Sequence, residues 1–290
     1  MKEQNFQIVT DSGSDLSAEY LSENNVACVQ LGYTMNGVSY GDGGETLSLC
    51  EFYERLRGGA LPTTYQATPE SVRERVEPIL QAGKDVLCIS FSSGLSGTCG
   101  SYQVAAKELM EEYPGRTIVV VDSLCASMGQ GLLVDYAVKK AQSGASIDET
   151  AAYLEGLKGK ISQQFTVDNL YHLKRGGRVS GVTAFVGSIL KIKPMMHVND
   201  QGKLAVIGKA MGRKKALLSI VDALASAADL GEDDPIFISY ADDAESAGIV
   251  KAALQEKFPQ TKIVVGQIGA AIGAHAGAGT VAIFCKGTHR

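Results

Sequence analysis

A loop rich in hydroxyl groups and glycine is the segment of this sequence best suited to bind an anion. Residues 92–98, Ser-Ser-Gly-Leu-Ser-Gly-Thr, follow the apolar run 86–91 and precede a segment with a helical pattern. The loop holds no acid, no base and no metal ligand. Hydroxyl and backbone N–H groups at a helix start favour an oxyanion, because the helix dipole leaves partial positive charge there. The loop is therefore predicted to bind a carboxylate or phosphate rather than to carry out a reaction.

Ser96 is the residue expected to cap this helix. In that position its hydroxyl and the N–H groups of Gly97 and Thr98 converge on one anion. The alternative is an ordinary cap in a tight turn between strand and helix, without a ligand. A nucleophilic serine is disfavoured, because an esterase elbow has the pattern Gly-x-Ser-x-Gly and the glycine that follows Ser96 comes one position early.

Two aspartates, Asp11 and Asp15, follow the first apolar run of the chain. Carboxylates at the end of a buried strand can hold Mg²⁺, but the Asp-x-Asp spacing is missing here. The favoured interpretation is structural. In it Asp11 supports neighbouring loops, and Ser14 or Asp15 caps the next helix.

Two further loops contain candidate ligand-binding residues. Residues 61–69 are rich in hydroxyl groups, and their interest depends on whether Thr64 faces the same cleft as Ser96. Residues 269–279 are almost entirely glycine and alanine, and His275 is their only ionisable group. A structural role and a ligand-binding role remain open for His275.

A cluster of basic residues surrounds Gly176 and Gly177. Lys174, Arg175 and Arg178 lie at the end of a short helical pattern, where cations are favoured by the helix dipole. Together with Arg213 they can instead form a positive patch for an acidic or phosphorylated partner. The sequence alone leaves both interpretations open.

The elements that position these residues alternate between strand and helix patterns in the first half of the chain. This alternation predicts an α/β fold, with an N-terminal doubly wound, mostly parallel sheet domain over residues 1–157. The pattern then changes, and an α+β domain is expected over residues 158–290. The ligand is expected in the interdomain cleft, where the loops at the carboxyl ends of strands converge.

Local signals predict several element boundaries. They are a strand over residues 26–35 followed by an Asn36-Gly37 hairpin turn, a helix starting at Thr68-Pro69, a capping box from Ser146 to Glu149, a hairpin over residues 197–204, and a loop over residues 269–279.

Composition limits the classes of protein to which the chain can belong. The 290 residues are 45% hydrophobic and 20% charged, which predicts a folded chain of about two domains. A net charge of −5 argues against general nucleic-acid binding. Residues 1–6 have no apolar core for a signal peptide, and no apolar run reaches the roughly 18 residues of a membrane span. Six cysteines without a Cys-x-x-Cys pair predict a reduced, cytoplasmic protein without a structural metal.

Taken together, the segments resemble the DegV family of bacterial fatty-acid-binding proteins. They occur in the family's order and run from residue 10 to residue 279. The matching pieces are Thr10-Asp11-Ser12, Thr63-Thr64 before Gln66, residues 92–98, residues 173–180 with Ser180, residues 191–194 with Lys191, and Gly273-Ala274-His275.

The resemblance implies a two-domain protein that holds one long-chain fatty acid in a buried tunnel. It implies that the carboxylate is presented to the kinase subunit of the fatty acid kinase system, which forms an acyl phosphate. It further implies no turnover by this chain and no cofactor besides the fatty acid. Transient contact with a membrane surface is compatible with this role. The carboxylate would be bound by Thr64 and Ser96, with Ser93 and His275 nearby, and the kinase would be faced by Arg178, Lys174, Arg175 and Arg213.

The sequence departs from the family pattern at three positions. Tyr65 replaces the usual serine, Ala67 replaces a proline, and Ala278 replaces the proline of the histidine loop. A phenol beside Thr64 is expected to narrow the head-group pocket or to change which acyl chain fits.

Two other functions compete with lipid binding. One is an independent acyl-ester hydrolase or phosphotransferase that uses Ser93 or Ser96 with His275, which requires a third group to orient the histidine. The other is a sensor that binds a small anion such as a phosphate ester.

Overall fold

Short apolar segments of the first half form a sheet of four parallel strands. The computed structural model describes residues 5–168, 170–179 and 192–290, so Ser180 and Lys191 lie outside the described residues. The strands lie in the order β2-β1-β6-β7. Their bounds are β1 (Phe6–Asp11), β2 (Ala27–Val29), β6 (Asp85–Ser90) and β7 (Ile118–Asp122).

Helices cover both faces of this sheet, because successive strand residues point to opposite sides. Ile8 and Leu87 belong to the apolar cluster that contains the residues of α5 and α6. Val9 and Val86 belong to the cluster of α3 and α4. The predicted doubly wound arrangement is confirmed. The helices of the first half are α1 (Ala18–Glu23), α2 (Leu49–Arg57), α3 (Pro69–Gln81), α4 (Thr98–Glu112), α5 (Met128–Gln142) and α6 (Ile147–Leu157).

Two helix starts lie where the capping signals predict them. The Thr68 side chain accepts a hydrogen bond from the Ser71 N–H, and Pro69 is the first residue of α3. Ser146 and Glu149 form a reciprocal capping box at the start of α6. Both predictions are confirmed.

The predicted strand over residues 26–35 is divided between two sheets. Leu31, whose N–H donates to Ser12 Oγ at 2.9 Å, separates β2 from β3 (Gly32–Met35). The hairpin prediction is confirmed, because Asn36 and Gly37 have φ of 54° and 81° and connect β3 to β4 (Val38–Tyr40). A third strand, β5 (Thr63–Tyr65), pairs with β3 and completes a small antiparallel sheet.

The second half forms a mixed sheet of six strands in the order β10-β9-β8-β13-β11-β12. Strands β11 and β12 run parallel, and the other described neighbours are antiparallel. The hairpin predicted over residues 197–204 connects β9 to β10 and is confirmed. The strands are β8 (Ile161–Thr166), β9 (Ile192–Val198), β10 (Leu204–Met211), β11 (Ile236–Tyr240), β12 (Ile263–Gln267) and β13 (Val281–Lys286).

The predicted loop over residues 269–279 is wrong in part. Ala270–Ala276 form a helix, α10, in which Gly273 packs so closely on Tyr53 that a Cβ would lie 2.5 Å from the phenol oxygen. Only a small residue permits this contact, which explains a composition that otherwise suggests a loop. The other helices of this half are α7 (Tyr171–Arg175), α8 (Arg213–Ala227) and α9 (Ala244–Lys257).

Helix α5 lies between the two large sheets, and most of its residues are buried. Gly129 and Gly131 permit close approach on opposite sides, to Gln163 Oε1 and to the Ser14 carbonyl. The division at residues 157 and 158 stays a prediction. Within the described ranges, no helix is long and apolar enough to cross a membrane.

Candidate functional site

A cavity of about 380 Å³ lies between the two large sheets. This volume is within the range of about 300–1,000 Å³ that small-molecule sites occupy. Its wall comes from both halves of the chain and is mostly apolar. The large apolar residues in the wall are Leu31, Phe91, Leu95, Phe165, Leu173, Val198, Leu204, Ile268, Ile272 and Phe284.

Thr64, Ser96 and His275 all line this cavity, together with Gln66 and Arg178. Thr64 Oγ1 and His275 Nε2 form a hydrogen bond of 2.7 Å. Three of the four residues predicted for carboxylate binding therefore share one cavity, although they come from β5, the loop before α4, and α10. The resulting group of polar side chains offers mainly neutral hydrogen-bonding atoms, with the Arg178 guanidinium as a charged neighbour.

Arg175 connects the two segments that carry Thr64 and His275. Its Nη2 donates to the Pro62 carbonyl at 2.7 Å and to the Ala274 carbonyl at 3.2 Å. These carbonyls lie two residues before Thr64 and one residue before His275. Arg175, predicted to contact a partner, therefore holds the head-group residues in place within the chain.

His275 is held neutral by its surroundings. Burial, followed by the charges of Arg178, Arg175 and His172, lowers the pKa of His275 to about 4. Its Nδ1 is buried without a hydrogen-bond partner in the described residues, and a Cβ on Gly176 would lie 2.1 Å from it. The imidazole is therefore fixed by Thr64 on one side and by the backbone of Gly176 on the other.

The loop before α4 differs in detail from its prediction. Gly97, not Ser96, is the N-cap residue, so the predicted cap is wrong by one position. The Thr98 N–H donates to Ser96 Oγ at 3.2 Å, so the expectation that this N–H faces an anion is also wrong. A Cβ on Gly97 would lie 2.0 Å from Gln66 Oε1, so the amide of Gln66 packs directly against this glycine. Ser96 Oγ is the polar group that this turn contributes to the cavity.

The same loop contacts the second half of the chain. Ser92 Oγ donates to the Gly202 carbonyl at 2.8 Å, in the turn between β9 and β10. Ser93 is exposed and lies outside the cavity wall, and its N–H donates to Asp122 Oδ1 at 3.1 Å. The role predicted for Ser93 in carboxylate binding stays a prediction, and the cavity gives it no support.

The predicted basic patch is spread over three environments. The Arg178 side chain lines the cavity, and its Nε donates to the Leu95 carbonyl at 3.1 Å. Lys174 is exposed. Arg213 binds Asp243 Oδ2 at 3.0 Å and also contacts the Gly279 carbonyl, which ties the start of α8 to α9. The role predicted for these residues in binding a partner stays a prediction, and Lys174 is the exposed one among them.

Both aspartates of the first loop act as structural acceptors. Asp11 Oδ2 accepts the Phe91 N–H at 2.8 Å, and burial raises the pKa of Asp11 to about 6. Asp15 accepts from Ser127 Oγ at 2.5 Å and from the Gly269 N–H at 2.8 Å, and burial raises its pKa to about 7. Ser17 caps α1, so the cap predicted at Ser14 or Asp15 is wrong. No group of three or more His, Cys, Asp or Glu side chains in the described ranges could hold a metal ion.

Tyr65 points away from Thr64, because neighbouring strand residues face opposite sides. Its ring lies over Gly32, its cross-strand partner, where a Cβ would lie 2.0 Å from the ring carbons. Its hydroxyl donates to the Tyr40 carbonyl at 3.4 Å. Residue 65 nevertheless belongs to the wall of the cavity, so the expectation that this phenol narrows the head-group pocket or changes which acyl chain fits stays a prediction.

Sequence reasoning did not single out two polar residues of the cavity wall, Ser127 and Thr280. Ser127 has φ of 53° and ψ of −144°, and its Oγ lies 2.9 Å from Ser239 Oγ. The backbone strain has no counterpart in the local sequence, since serine is not a residue that favours positive φ. No local pattern could therefore have identified it.

Comparison with known proteins agrees with this architecture. A family model described as "Uncharacterised protein, DegV family COG1307" matches residues 5–287. A DegV domain-containing protein of Clostridium perfringens is 40% identical over 283 residues, 97% of this chain and 97% of that protein.

Two solved structures extend the similarity to the fold. One, of a fatty-acid-binding DegV family protein from Thermus thermophilus, has a TM-score of 0.87 and 33% identity, and covers 98% of this chain and 99% of that one. The other, DegV from Bacillus subtilis, a fatty acid binding protein, has a TM-score of 0.83 and 29% identity, with 98% and 100% covered. The similarity therefore extends over nearly the whole of each chain.

Proposed function

Because this chain belongs to the DegV family, we propose that it binds one long-chain fatty acid in the cavity between its two large sheets. The carboxylate lies against Thr64, Ser96 and His275, and the acyl chain follows the apolar wall. The observation that carries the proposal is the composition of this one cavity. Its wall combines the hydrogen-bonded pair Thr64–His275 with a long series of apolar side chains.

The acyl chain supplies most of the affinity. At roughly 0.8 kcal/mol for each buried methylene, a chain of about 14 methylenes contributes on the order of 11 kcal/mol before ordering costs. The head-group residues then determine which end of the lipid enters the polar part of the cavity. A neutral imidazole and two hydroxyls suit this task as hydrogen-bonding groups, and the Arg178 guanidinium in the same wall adds a positive charge that favours a carboxylate.

The protein acts as a carrier without turnover of its own. A general base works best with a pKa near the working pH, whereas His275 has a pKa of about 4. His275 Nε2 contacts Thr64 rather than Ser93 or Ser96, and its Nδ1 has no orienting acid in the described residues. These contacts favour binding over an independent serine hydrolase.

The first experiment identifies the lipid. Protein purified from bacterial cells is extracted with organic solvent, and the extract is analysed by mass spectrometry. We expect about one long-chain fatty acid for each protein molecule. Empty protein that also fails to bind added palmitate or oleate would contradict the proposal. Stabilisation against heat by phosphorylated metabolites, without stabilisation by fatty acids, would instead favour the small-anion sensor.

The finer part of the proposal is that the bound carboxylate is presented to a fatty acid kinase subunit, which converts it to an acyl phosphate. Lys174 is exposed and lies four positions before Arg178, which lines the cavity, so a partner that contacts Lys174 is close to the head group. Oleate-loaded protein, a bacterial kinase subunit and ATP are expected to yield acyl phosphate, which hydroxylamine traps as a hydroxamate.

A matched pair of variants tests the docking site. Lys174→Ala is expected to slow hydroxamate formation several-fold at unchanged oleate affinity, whereas Lys251→Ala, on the exposed surface of α9, leaves the rate unchanged. Equal rates for wild type and both variants would exclude Lys174 from the contact.

A further inference from the structure

We propose that Ala67 is a positioning residue, which acts through Thr98 to aim the Ser96 hydroxyl proton into the cavity and so selects an ionised carboxylate. The proposal rests on the fatty-acid-binding function proposed above. Ala67 and Thr98 are both fully buried, and neither lines the cavity. Any influence they have on the ligand must therefore pass through Ser96.

The first step is the direction of the hydrogen bond between Thr98 and Ser96. The Ala67 N–H donates to Thr98 Oγ1 at 3.3 Å, and Thr98 Oγ1 lies 2.9 Å from Ser96 Oγ. These are the partners of Thr98 Oγ1 in the part of the chain that the structure describes. If Ser96 were the donor, the Thr98 proton would be buried without an acceptor, which is unfavourable. Thr98 therefore donates to Ser96.

The two lone pairs of Ser96 Oγ are both used within the turn. Ser96 Oγ accepts the Thr98 hydroxyl at 2.9 Å and the Thr98 N–H at 3.2 Å. A hydroxyl oxygen has two lone pairs, so both are used. The Ser96 proton is then the one remaining hydrogen-bonding group of this hydroxyl, and Ser96 lines the cavity. The turn consequently presents a donor and no acceptor.

The third step concerns the ligand. An ionised carboxylate only accepts hydrogen bonds, whereas an alcohol of the same chain length also brings a proton that needs an acceptor. A hydroxyl locked as a donor therefore favours the acid over the alcohol. The backbone N–H of residue 67 holds Thr98 Oγ1 in this arrangement, and a proline at this position would have no N–H. In this chain alanine thus adds a hydrogen bond that proline could not make.

The test compares affinities for oleate and for oleyl alcohol, which share one acyl chain. Ala67→Pro removes the N–H, and Thr98→Val removes the hydroxyl at nearly constant volume. We expect each change to lower the ratio of acid to alcohol affinity by about three- to tenfold, the usual effect of one hydrogen bond. The matched controls Ala67→Gly, which keeps the N–H, and Thr98→Ser, which keeps the hydroxyl, are expected to retain the wild-type ratio.

Measurements in a protein that already carries Ser96→Ala distinguish a positioning role of Thr98 from a general structural effect. In Ser96→Ala protein, Thr98→Val is expected to leave the ratio unchanged, because the hydroxyl it orients is already absent. An unchanged ratio in folded Ala67→Pro or Thr98→Val protein would overturn the inference, as would an equal loss in the Ser96→Ala background. If either Ala67→Pro or Thr98→Val protein does not fold, the result for the other variant tests the inference by itself. Failure of the wild type to bind oleate would instead contradict the proposed function.

Discussion

Thr64 Oγ1 and His275 Nε2 lie 2.7 Å apart, although 211 positions separate them in the chain. The contact joins the small antiparallel sheet of the first half to α10 of the second. Because His275 is neutral, its ring can donate through Nε2 to Thr64 Oγ1. The Thr64 proton is then available for a ligand. One hydrogen bond thus both connects the two halves and prepares a donor for the carboxylate.

The first prediction concerns this hydroxyl. Thr64→Val keeps the side-chain shape but removes the donor and leaves His275 Nε2 without its partner. We expect oleate affinity to fall about 10- to 100-fold, the range for a hydrogen bond to a charged group. Affinity for oleyl alcohol should fall much less, and Thr64→Ser should stay near wild type. Equal losses for acid and alcohol, measured by equilibrium binding, would show that Thr64 acts only on the shape of the cavity.

The second prediction concerns stability in acid. The pKa of His275 is lowered from 6.5 to about 4, so the unfolded chain takes up a proton before the folded chain does. The contribution of His275 to stability is complete above pH 6.5 and is lost as pH falls toward 4. Relative to His275→Gln, wild type should lose roughly 1–2 kcal/mol between pH 7.5 and 4.5. Urea unfolding at both pH values checks this, and a constant difference would show that the folded and unfolded chains take up the His275 proton at the same pH.

The third prediction concerns Asp15, whose contribution to stability changes with pH in the opposite direction to that of His275. Burial raises the pKa of Asp15 from 3.8 to about 7, so ionisation of this carboxyl opposes folding. Its contribution is complete below about pH 4 and is lost as pH rises through 7. Asp15→Asn keeps an acceptor for the Gly269 N–H and cannot ionise. Its melting temperature relative to wild type should rise by roughly 2–6 °C between pH 5.5 and 8.5. A relative melting temperature that falls over this interval would show that the folded protein favours the ionised carboxyl.

The fourth prediction tests the contact between Tyr65 and Gly32. A Cβ at position 32 would lie 2.0 Å from the ring, so Gly32→Ala is expected to cost about 1–3 kcal/mol of unfolding free energy. Gly32 does not have positive φ, so the cost arises from the ring and not from the backbone. Tyr65→Ser should remove most of the penalty in the double variant. Additive effects in this mutant cycle would show that the two residues do not interact.

Sequence reasoning located the starts of α3 and α6 correctly, because their signals are local. The start at Thr68 is marked by the proline that follows it, and the capping box at Ser146 is marked by a glutamate three positions later. The break at Leu31 has no such signal, since it depends on a hydrogen bond to Ser12 across 19 positions. Helix α10 was missed for a similar reason, because its one glycine, Gly273, is explained by packing on Tyr53.

The residues of the candidate site could be predicted from the sequence, but the directions of their hydrogen bonds and the placement of their side chains could not. The hydroxyl and glycine loops identified Ser96, Thr64 and His275, and the structure brings them to one cavity. The direction of each hydrogen bond could not be predicted from the sequence. The Thr98 N–H, for example, was expected to face an anion and instead donates to Ser96 Oγ. Arg178, which was expected to face a partner, lines the cavity, and its Nε donates to the Leu95 carbonyl, a contact that no spacing rule describes.

The central position of α5 has a consequence for how the chain folds. The helix buries one side against the parallel sheet and another against the mixed sheet, so neither half alone can shield it from water. In a fragment that ends at residue 157, the apolar side of α5 that packs on the mixed sheet would be exposed to water. Such a fragment would tend to aggregate. The two sheets should consequently melt in a single cooperative transition, and any lipid that occupies the space beside α5 stabilises both at once.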